Sequence, residues 1–468
     1  MSQLLTVAKP RRNTELVLLV LALGLSVLAN ALVNLTLGRE FDNDFYTQIA
    51  ILAGLSVAVH VVLRLKAKHA DPVILPVVVA LNGLGLTVIH RLDISSGDTA
   101  ATRQWMWTSL AVLAAVVVLW FLRDHRILRR YTYISLLVSV VLLVLPLVPG
   151  ISAGNVNGAT VWIALGPFTF QPGEIAKITL AIFFAGYLSS NRDLILLAGK
   201  RIGRLQLPRS RDLAPMIVAW LASVGVLIFQ RDLGSSILFF GLFMVMIYVA
   251  TSRVSWILIG IGLIAVGGVA AYQIFPHVSR RIDVWVNAFD PEYIGAPFGS
   301  FQVVEGLFGL ANGGLMGTGL GQGSPDALPV ANSDMIVAVI GEEIGLVGLF
   351  AVLCLYALLV ARGFRAALGT RDAFGKLLAV GLAFAIALQC FVIIGGVTRL
   401  IPLTGLTTPF LAAGGSSLLA NWIIVALLLK ISDAARRPLD VSQTSAPSNP
   451  EVSAEEAETS PTQKEAVQ

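Results

Sequence analysis

Apolar runs of about 20 residues recur along most of this 468-residue chain. A helix of that length spans the hydrocarbon core of a bilayer, so each run predicts one membrane span. Only 13% of the residues are charged, whereas a soluble chain carries about a quarter. The sequence therefore predicts an all-α polytopic membrane protein. Its roughly twelve transmembrane helices are expected at 15–37, 46–63, 72–89, 104–122, 131–149, 174–189, 213–229, 235–251, 254–275, 335–360, 377–397 and 411–431.

The lysines and arginines between these runs are distributed asymmetrically. With the N-terminus placed in the cytoplasm, cytoplasmic segments carry 24 of the 33 lysines and arginines and external segments carry 7. Positive charge accumulates in the cytoplasmic loops of membrane proteins. The distribution predicts a multi-pass protein of the cytoplasmic membrane, with both termini in the cytoplasm and segments 150–173 and 277–334 outside. Because the basic residues do not cluster on one soluble surface, no nucleic-acid partner is expected.

The end of the chain differs in composition from the rest. Residues 438–468 contain no aromatic residue and many Ser, Pro, Glu and Thr residues. Such a segment cannot bury enough apolar surface to fold, which predicts a disordered cytoplasmic tail. Residues 1–437 are predicted to form one multi-pass membrane domain.

Segment 277–334, between the ninth and tenth predicted spans, is an unusually long polar loop. Its charged residues are Arg280, Arg281, Asp283, Asp290, Glu292, Glu305, Asp326 and Asp334. Ionisable residues close to apolar helices are costly and mark functional surfaces. We therefore expect the working surface of the protein here.

Residues 312–323 of this segment hold six glycines in twelve positions. No Lys followed by Ser or Thr comes after them, so the run is not a P-loop. The glycines either let backbone N–H groups approach an anion or allow a tight re-entrant path of the chain. The sequence does not distinguish these two interpretations.

Two charged pairs lie at or near predicted membrane depth. Glu174 and Lys177 are i, i+3 neighbours at the start of the sixth span, either as a neutralised ion pair or as the lining of a substrate cavity. Arg231 and Asp232 separate the seventh and eighth spans with almost no loop. They form either a salt bridge in a tight helical hairpin or charges that face a polar interior.

The last third of the chain contributes seven more candidates for a substrate site. They are Asp334, Glu342, Glu343, Arg399, Thr404, Ser416 and Ser417. Adjacent glutamates inside an apolar run predict that at least one pairs with a basic group or faces water. Small residues such as the two serines also permit close helix packing. The five histidines and two cysteines show no ligand spacing, so no His/Cys metal site is expected.

Taken in order, five motifs resemble the SEDS family, the RodA and FtsW polymerases of the bacterial cell wall. The motifs are Asn157-Gly-Ala…Trp162 with Phe170-Gln171-Pro172-x-Glu174…Lys177; Asp232-Leu-Gly234; the glycine-rich run; Ser333-Asp334 with Gly341-Glu-Glu-x-Gly345; and Pro402-Leu-Thr-Gly405 with Gly414-Gly-Ser-Ser417. The family core has ten spans, and the two additional spans here resemble the actinobacterial RodA branch.

The resemblance implies a peptidoglycan glycosyltransferase. Such an enzyme polymerises lipid II, a disaccharide-pentapeptide on undecaprenyl pyrophosphate, into glycan strands at the outer membrane face. The implied partners are lipid II, the growing strand, membrane lipid and a class B penicillin-binding transpeptidase.

The resemblance also implies a catalytic Asp in the large external loop. The match is Asp290-Pro291, ahead of Phe301-Gln302, with Asp283 as the second candidate. This chain has about four extra residues before Phe301, which replaces a Tyr of the family. Inverting transfer needs one base for the attacking sugar hydroxyl, and a pyrophosphate leaves without a protein acid. Lys177, Arg231 and Arg399 are candidates to stabilise its charge, and a divalent cation, Mg²⁺ or Mn²⁺, is a further candidate.

Two other functions agree with part of the sequence. Twelve spans with intramembrane charges also suit a transporter, such as a flippase of the same lipid, but no repeat relates the two halves of the chain. A non-enzymatic scaffold would not need the charged residues at membrane depth. Within the family, an FtsW-like division polymerase is the alternative to an enzyme of cell elongation and shape.

Overall fold

The computed structural model describes residues 10–438 except 157, 167, 198, 203–204, 209 and 298, with the side chains of 193–213 also excluded. Pro10–Arg436 form one compact unit. The predicted disordered tail lies outside the described residues apart from Pro438, and it stays a prediction. Asn157 of the first motif lies outside them as well.

The described chain is almost entirely helical. In chain order the helices are α1 (Arg12–Thr36), α2 (Asn43–Lys66), α3 (Ile74–Ser96), α4 (Ala100–Phe121), α5 (Thr132–Val144), α6 (Gly173–Leu197), α7 (Ser210–Gln230), α8 (Leu233–Thr251), α9 (Ser255–Ile274), α10 (Pro276–Val286), α11 (Pro291–Ile294), α12 (Phe301–Gly313), α13 (Ile336–Gly369), α14 (Ala373–Val397) and α15 (Gly415–Arg436). Three 3-10 helices span His125–Tyr131, Leu145–Leu147 and Pro325–Ala327.

Two short antiparallel hairpins interrupt the helices. In the first, β1 (Ile163–Leu165) pairs with β2 (Phe168–Phe170), with Ile163 opposite Phe170. In the second, β3 (Gly199–Ile202) pairs with β4 (Leu205–Pro208). The first hairpin precedes α6 and belongs to the segment that carries the first sequence motif.

Ten helices of the described chain are long and apolar enough to cross a membrane. They are α1 to α4, the continuous helical stretch His125–Leu147, α8, α9, α13, α14 and α15. The polytopic all-α prediction is confirmed. Helices α6 and α7 occupy the positions of the sixth and seventh predicted spans, but the apolar part of α7 is short, Ala214–Gln230. The number twelve therefore stays a prediction.

The helices differ strongly in how much of their surface is buried by protein. Nearly all of α3 is buried, as are most of α14 and α15, whereas α9 buries only Trp256 and Gly260. Residues such as Ile261 and Val266 on α9 are more than half exposed. In a membrane such an apolar surface faces lipid, so α9 lies at the edge of the bundle.

The long polar segment between α9 and α13 is more ordered than its composition suggested. It folds into α10, α11, α12 and a 3-10 turn. Pro276 occupies the first turn of α10, where its missing N–H costs little. The prediction of one long loop over 277–334 is wrong, because the polar residues of this segment obscure the helical periodicity of α10.

A labelling experiment tests the predicted orientation. Single cysteines would replace Glu292 and Arg130, both exposed, in a background with Cys354 and Cys390 changed to Ala. We expect an impermeant maleimide to label position 292 in intact cells whose outer envelope is opened, because the charge distribution places 277–334 outside. Position 130 should react only after the cytoplasmic membrane is permeabilised. The opposite pattern would invert the assignment of every span.

Candidate active-site cavity

A polar cavity of about 620 Å³ lies where several helices end and begin. Helices α7, α9 and α14 end beside it, and α8 and α13 begin there. Its walls come from the 156–171 segment, the α7–α8 turn, α10, the start of α12, residues 329–334 and residues 396–407. The predicted site residues that line it are Arg231, Asp232, Asp334 and Thr404.

One face of α10 forms a wall of this cavity. The residues that line it recur at helical spacing, which places them on a single face. They are His277, Arg280, Arg281, Val284 and Trp285. The helix therefore brings two arginines into the cavity. From the sequence, the site was placed only within the whole segment 277–334.

The cavity is richer in positive than in negative charge. Arg231, Arg280 and Arg281 line it together with Asp232 and Asp334. Burial lowers the pKa of His277, with Arg231 and Arg281 adding to the effect, so this imidazole is neutral at pH 7. The three arginines against two carboxylates make the cavity suitable for an anionic group.

Arg281 is the electrostatic centre of the cavity. Burial lowers the pKa of its guanidinium, and the charges of Asp232 and Asp334 oppose this shift. Its Nη1 also donates a hydrogen bond of 3.0 Å to the Leu403 carbonyl. Burial raises the pKa of both carboxyls, and Arg281 counteracts that effect at each of them. Arg281 therefore joins α10 to the last loop through this hydrogen bond, and its charge acts on a carboxyl of the α7–α8 turn and on one just before α13.

The tight turn between α7 and α8 contains both predicted residues of its charged pair. Arg231 adopts a left-handed conformation with φ of 60°, and its side chain is exposed to the cavity. The Asp232 carboxylate caps α8 by accepting a 2.9 Å bond from the Ser235 N–H. No ion pair within 4 Å joins Arg231 and Asp232 in the described chain. The hairpin salt bridge is therefore not observed, and both residues face the cavity.

Two threonine hydroxyls contribute uncharged polar groups. Thr404 and Thr407 line the cavity, are 8% and 9% exposed, and have no hydrogen-bond partner for Oγ1 among the described residues. Gly405 between them has a φ of 77°. Buried hydroxyls normally find a partner, so these two buried oxygens are unsatisfied polar atoms in the wall of the cavity.

Glu174 and Lys177 form a buried ion pair instead of lining the cavity. Lys177 Nζ lies 2.5 Å from Glu174 Oε2, and both side chains are nearly inaccessible. Lys177 also donates to Gln389 Oε1 at 2.9 Å, and the Gln389 amide donates to the Thr407 carbonyl. The pair supports the cavity wall from behind, and direct substrate binding by either residue stays a prediction.

Glu342 and Glu343 hold the glycine-rich run against α13. The Glu343 carboxylate pairs with Arg91 at 3.2 Å and accepts from the Gly321 N–H at 3.0 Å. Glu342 accepts from Asn312 Nδ2 at 3.0 Å. The expectation that one of the glutamates pairs with a basic group is confirmed. Neither carboxylate lines the cavity, so their predicted role in substrate binding is untested.

The backbone of the glycine-rich run follows a tight path along α13. The N–H groups of Thr318 and Gly319 donate to the carbonyls of Glu342 and Glu343, both at 2.9 Å. Gly345 interrupts the helix there with a φ of 70°. Of the two interpretations of the glycines, the re-entrant path agrees with these bonds, because several of the N–H groups are already engaged by protein.

Gly317 shows why this path requires glycine. A Cβ built on Gly317 would lie 2.3 Å from the Glu343 carbonyl oxygen, and its φ is 83°. We expect Gly317→Ala to lower the apparent melting temperature of the detergent-solubilised protein, through a clash worth at least about 2 kcal/mol beyond left-handed strain. Gly154→Ala is the matched control, because Gly154 has the same φ with nothing within 4 Å. Equal losses in both variants would contradict the close approach.

The remaining predicted residues support the cavity from outside its lining. Ser416 Oγ accepts from the Gln171 N–H at 2.9 Å, and Gln171 lines the cavity. Ser417 accepts from Asn421 within α15. Arg399 donates to the carbonyls of Trp285 and Val286 at the end of α10. None of these three side chains belongs to the cavity wall.

The two aspartates considered as the base have different environments. Asp290 is exposed, and its Oδ1 accepts from the Glu292 N–H at 3.0 Å as the cap of α11. Asp283 accepts from the Tyr272 hydroxyl at 3.1 Å. No ion pair within the described chain joins either aspartate to Arg280 or Arg281. Neither aspartate is therefore held by an ion pair to the arginines of α10, and the charge of Arg281 acts on Asp232 and Asp334 instead.

Five lining residues were not among the site residues predicted from the sequence. They are Gln171, His277, Gln302, Trp285 and Thr407. The signal that locates three of them is helical: His277 and Trp285 share the cavity face of α10, and Gln302 begins α12. Among the described residues no group of three or more His, Cys, Asp or Glu side chains is arranged to hold a metal ion.

The fold and the cavity define a multi-pass membrane protein with an arginine-rich polar cavity at one end of its helix bundle. The profile of the cell cycle proteins FtsW, RodA and SpoVE matches residues 72–437. The chain belongs to this family. Helices α1 and α2 precede the matched part.

Curated relatives and solved structures agree with this assignment. The peptidoglycan glycosyltransferase RodA of Mycobacterium tuberculosis (strain ATCC 25618 / H37Rv) is 47% identical over 436 residues, covering 92% of each chain. The stage V sporulation protein E of Bacillus subtilis (strain 168) is 32% identical, covering 80% of this chain and all of that one. A chain from a structure of a peptidoglycan synthase complex that coordinates polymerization and crosslinking matches with a TM-score of 0.63 at 27% identity, covering 78% of this chain and 98% of the other. The rod shape determining protein RodA of Thermus thermophilus matches with a TM-score of 0.52 at 27% identity, covering 78% and 96%.

Proposed function

We propose that this protein is a peptidoglycan glycosyltransferase that polymerises lipid II at the outer face of the cytoplasmic membrane. The observation that carries the proposal is the arginine-rich cavity of a chain that is 47% identical to a peptidoglycan glycosyltransferase over most of its length. A pyrophosphate-linked sugar is anionic at one end and rich in hydroxyl and amide groups at the other. The arginines suit the first part, and Thr404 and Thr407 suit the second.

The proposed reaction is an inverting transfer. The acceptor hydroxyl attacks the anomeric carbon of the lipid-linked sugar, and the bond from that carbon to the pyrophosphate oxygen breaks. A carboxylate takes the hydroxyl proton as the new glycosidic bond forms. The leaving pyrophosphate needs no protein acid, and Arg231, Arg280 and Arg281 stabilise its charge.

The geometry of α10 supports Asp290 over Asp283 as the base. Successive residues of a helix are rotated by about 100°. Asp283 is not among the lining residues of α10, lies about 160° around the helix from Arg281 and Trp285, and bonds to Tyr272 of α9. Asp290 lies in a segment whose two flanks, Trp285 and Ala296, both line the cavity. Its second carboxylate oxygen has no protein partner among the described residues.

We propose a divalent cation only as an ion that binds together with the substrate pyrophosphate. Asp232 and Asp334 face Arg281, whose charge already compensates them. Asp232 or Asp334 would hold an Mg²⁺ or Mn²⁺ ion through carboxylate oxygens, and the ion would supply positive charge for the leaving pyrophosphate. Removal of divalent ions with a chelator during the polymerisation assay tests this part.

The proposed partner is a class B penicillin-binding transpeptidase, and the proposed process is cell elongation and shape. Support comes from the solved chain of a peptidoglycan synthase complex and from higher identity to a protein named RodA, 47%, than to one named FtsW, 33%. Depletion in cells distinguishes the two processes, because an elongation enzyme gives rounded cells and a division enzyme gives filaments. Both termini are proposed to be cytoplasmic.

A polymerisation assay tests the proposed function. The purified protein, alone and in complex with a class B transpeptidase, is mixed with lipid II in detergent, and the products are separated by size on a gel. We expect glycan polymers. A flippase or a scaffold yields none under these conditions, because detergent micelles offer no second leaflet and no new bond is made. Absence of polymer from both preparations would reject the proposal.

A further inference from the structure

The C-terminal end of α10 is held by an arginine from a distant part of the chain. Arg399 Nε donates to the Trp285 carbonyl at 2.9 Å, and its Nη2 donates to the Val286 carbonyl at 2.7 Å. In return, the indole N–H of Trp285 donates to the Arg399 carbonyl at 3.0 Å. These three bonds, here called the α10 clasp, join the last turn of α10 to the loop that follows α14.

The backbone of Arg399 adopts an unfavourable conformation at this contact. Its φ of 58° is left-handed, which is unfavourable for a residue with a side chain by about 1–2 kcal/mol. The loop is tightened by bonds from the Leu400 and Ile401 N–H groups to the Gly395 carbonyl, at 2.7 and 3.0 Å. A conformation of this kind persists only where the surrounding contacts impose it.

The chemistry of the α10 clasp requires arginine. The last carbonyls of a helix have no partners within it, and they carry the negative end of the helix dipole. A planar guanidinium satisfies two of them at once with a positive charge, whereas a lysine ammonium offers one point charge on a flexible stem. The guanidinium carbon also lies 5.3 Å from the centroid of the Phe289 ring, a cation–π distance.

The α10 clasp is continuous with the segment that carries Asp290. Asn287 ends α10 through a bond to the Asp283 carbonyl, and the Asp290 N–H donates to the Asn287 carbonyl at 3.0 Å. The Phe289 ring packs between the Arg399 guanidinium and Phe308 of α12. Only a few hydrogen bonds and a short stretch of chain therefore connect the Asp290 backbone to Arg399.

We propose that Arg399 and Trp285 are positioning residues that set the placement of Asp290 against the loop supplying Thr404 and Thr407. The inference rests on the proposed function, and it gives Arg399 a role other than binding pyrophosphate charge. The same loop thus lines the cavity and holds the segment that carries the base. Misplacement of a catalytic group by about 1 Å costs up to about 100-fold in rate.

Kinetics of Arg399 variants test the proposal. We expect Arg399→Gln and Arg399→Lys to lower kcat for lipid II polymerisation by about 10- to 100-fold, with KM changed less than about threefold. Trp285→Phe, which removes the indole donor together with part of the ring, should lower kcat by a smaller factor. Arg103→Gln is the control, because Arg103 of α4 is an exposed arginine that pairs with Asp98 in the preceding turn.

Amide hydrogen exchange distinguishes a positioning role of Arg399 from a general contribution to stability. We expect faster exchange confined to the amides of residues 287–292 in Arg399→Gln and Arg399→Lys, at an unchanged melting temperature. Recovery of the rate by Arg399→Lys would show that charge alone matters and would overturn the inference. Wild-type kcat in Arg399→Gln would overturn it while leaving the proposed function intact. A wild-type protein that makes no polymer would reject the proposed function, and the positioning role with it.

Discussion

Asp290→Asn is expected to lower glycan polymerisation by about 100-fold or more while the protein accumulates and remains monodisperse. The amide keeps the size of the carboxylate and can still accept the bond from the Glu292 N–H, so the cap of α11 is retained. It cannot take a proton from the attacking hydroxyl. The measurement is the initial rate of polymer formation from lipid II, at equal amounts of folded protein.

Asp283→Asn is the matched control for this experiment. Asp283 bonds to Tyr272 of α9 and is not among the residues that line the cavity. Its loss should change the rate by less than about threefold, the effect of one exposed hydrogen bond. If Asp283→Asn is inactive and Asp290→Asn polymerises normally, the assignment of the base across the longer segment before Phe301 is wrong.

Lys177→Gln is expected to prevent stable folding. The substitution leaves Glu174 buried without its ion-pair partner, and breaking a buried pair costs about 3–5 kcal/mol. The measurement is the yield of monodisperse protein after detergent extraction. Glu174→Gln combined with Lys177→Gln removes both charges and should recover much of this yield.

Arg231→Gln separates the structural role from the catalytic one. Arg231 is exposed to the cavity and has no ion-pair partner within 4 Å among the described residues, so its loss should leave folding intact. Turnover should fall by about 100-fold if its charge stabilises the leaving pyrophosphate.

A Lys177→Gln protein that folds normally and loses only turnover would instead place Lys177 in direct contact with substrate.

The roles of the charged residues divide along lines that the sequence did not reveal. Arg231, Lys177 and Arg399 were equivalent candidates for the phosphate charge. Arg231 lines the cavity, Lys177 neutralises Glu174 behind it, and Arg399 caps α10. Each role depends on which carbonyl or carboxylate another helix brings within reach, and that is not encoded in the local spacing of the arginine or lysine.

Arg281 is a cavity residue that the sequence did not distinguish from its charged neighbours. As one of eight charged residues in a polar segment it carried no special weight. On the cavity face of α10 its charge acts on Asp232 and Asp334, which lie 49 residues before it and 53 residues after it in the sequence. The helical spacing from His277 to Trp285 was the available signal, and the glycine-rich and charged composition around it obscured that signal.

The sequence by itself determined that the chain is an all-α multi-pass membrane protein and that it carries the motifs of its family. Hydrophobic runs and motif spacing are local properties, and they persist whatever the helices pack against. Only the tertiary structure decided which charged side chains face the cavity and which form buried ion pairs or helix caps. Ion pairs, helix caps and close backbone approaches such as that of Gly317 to Glu343 form between residues far apart in the chain, so their partners are defined only once the helices are packed.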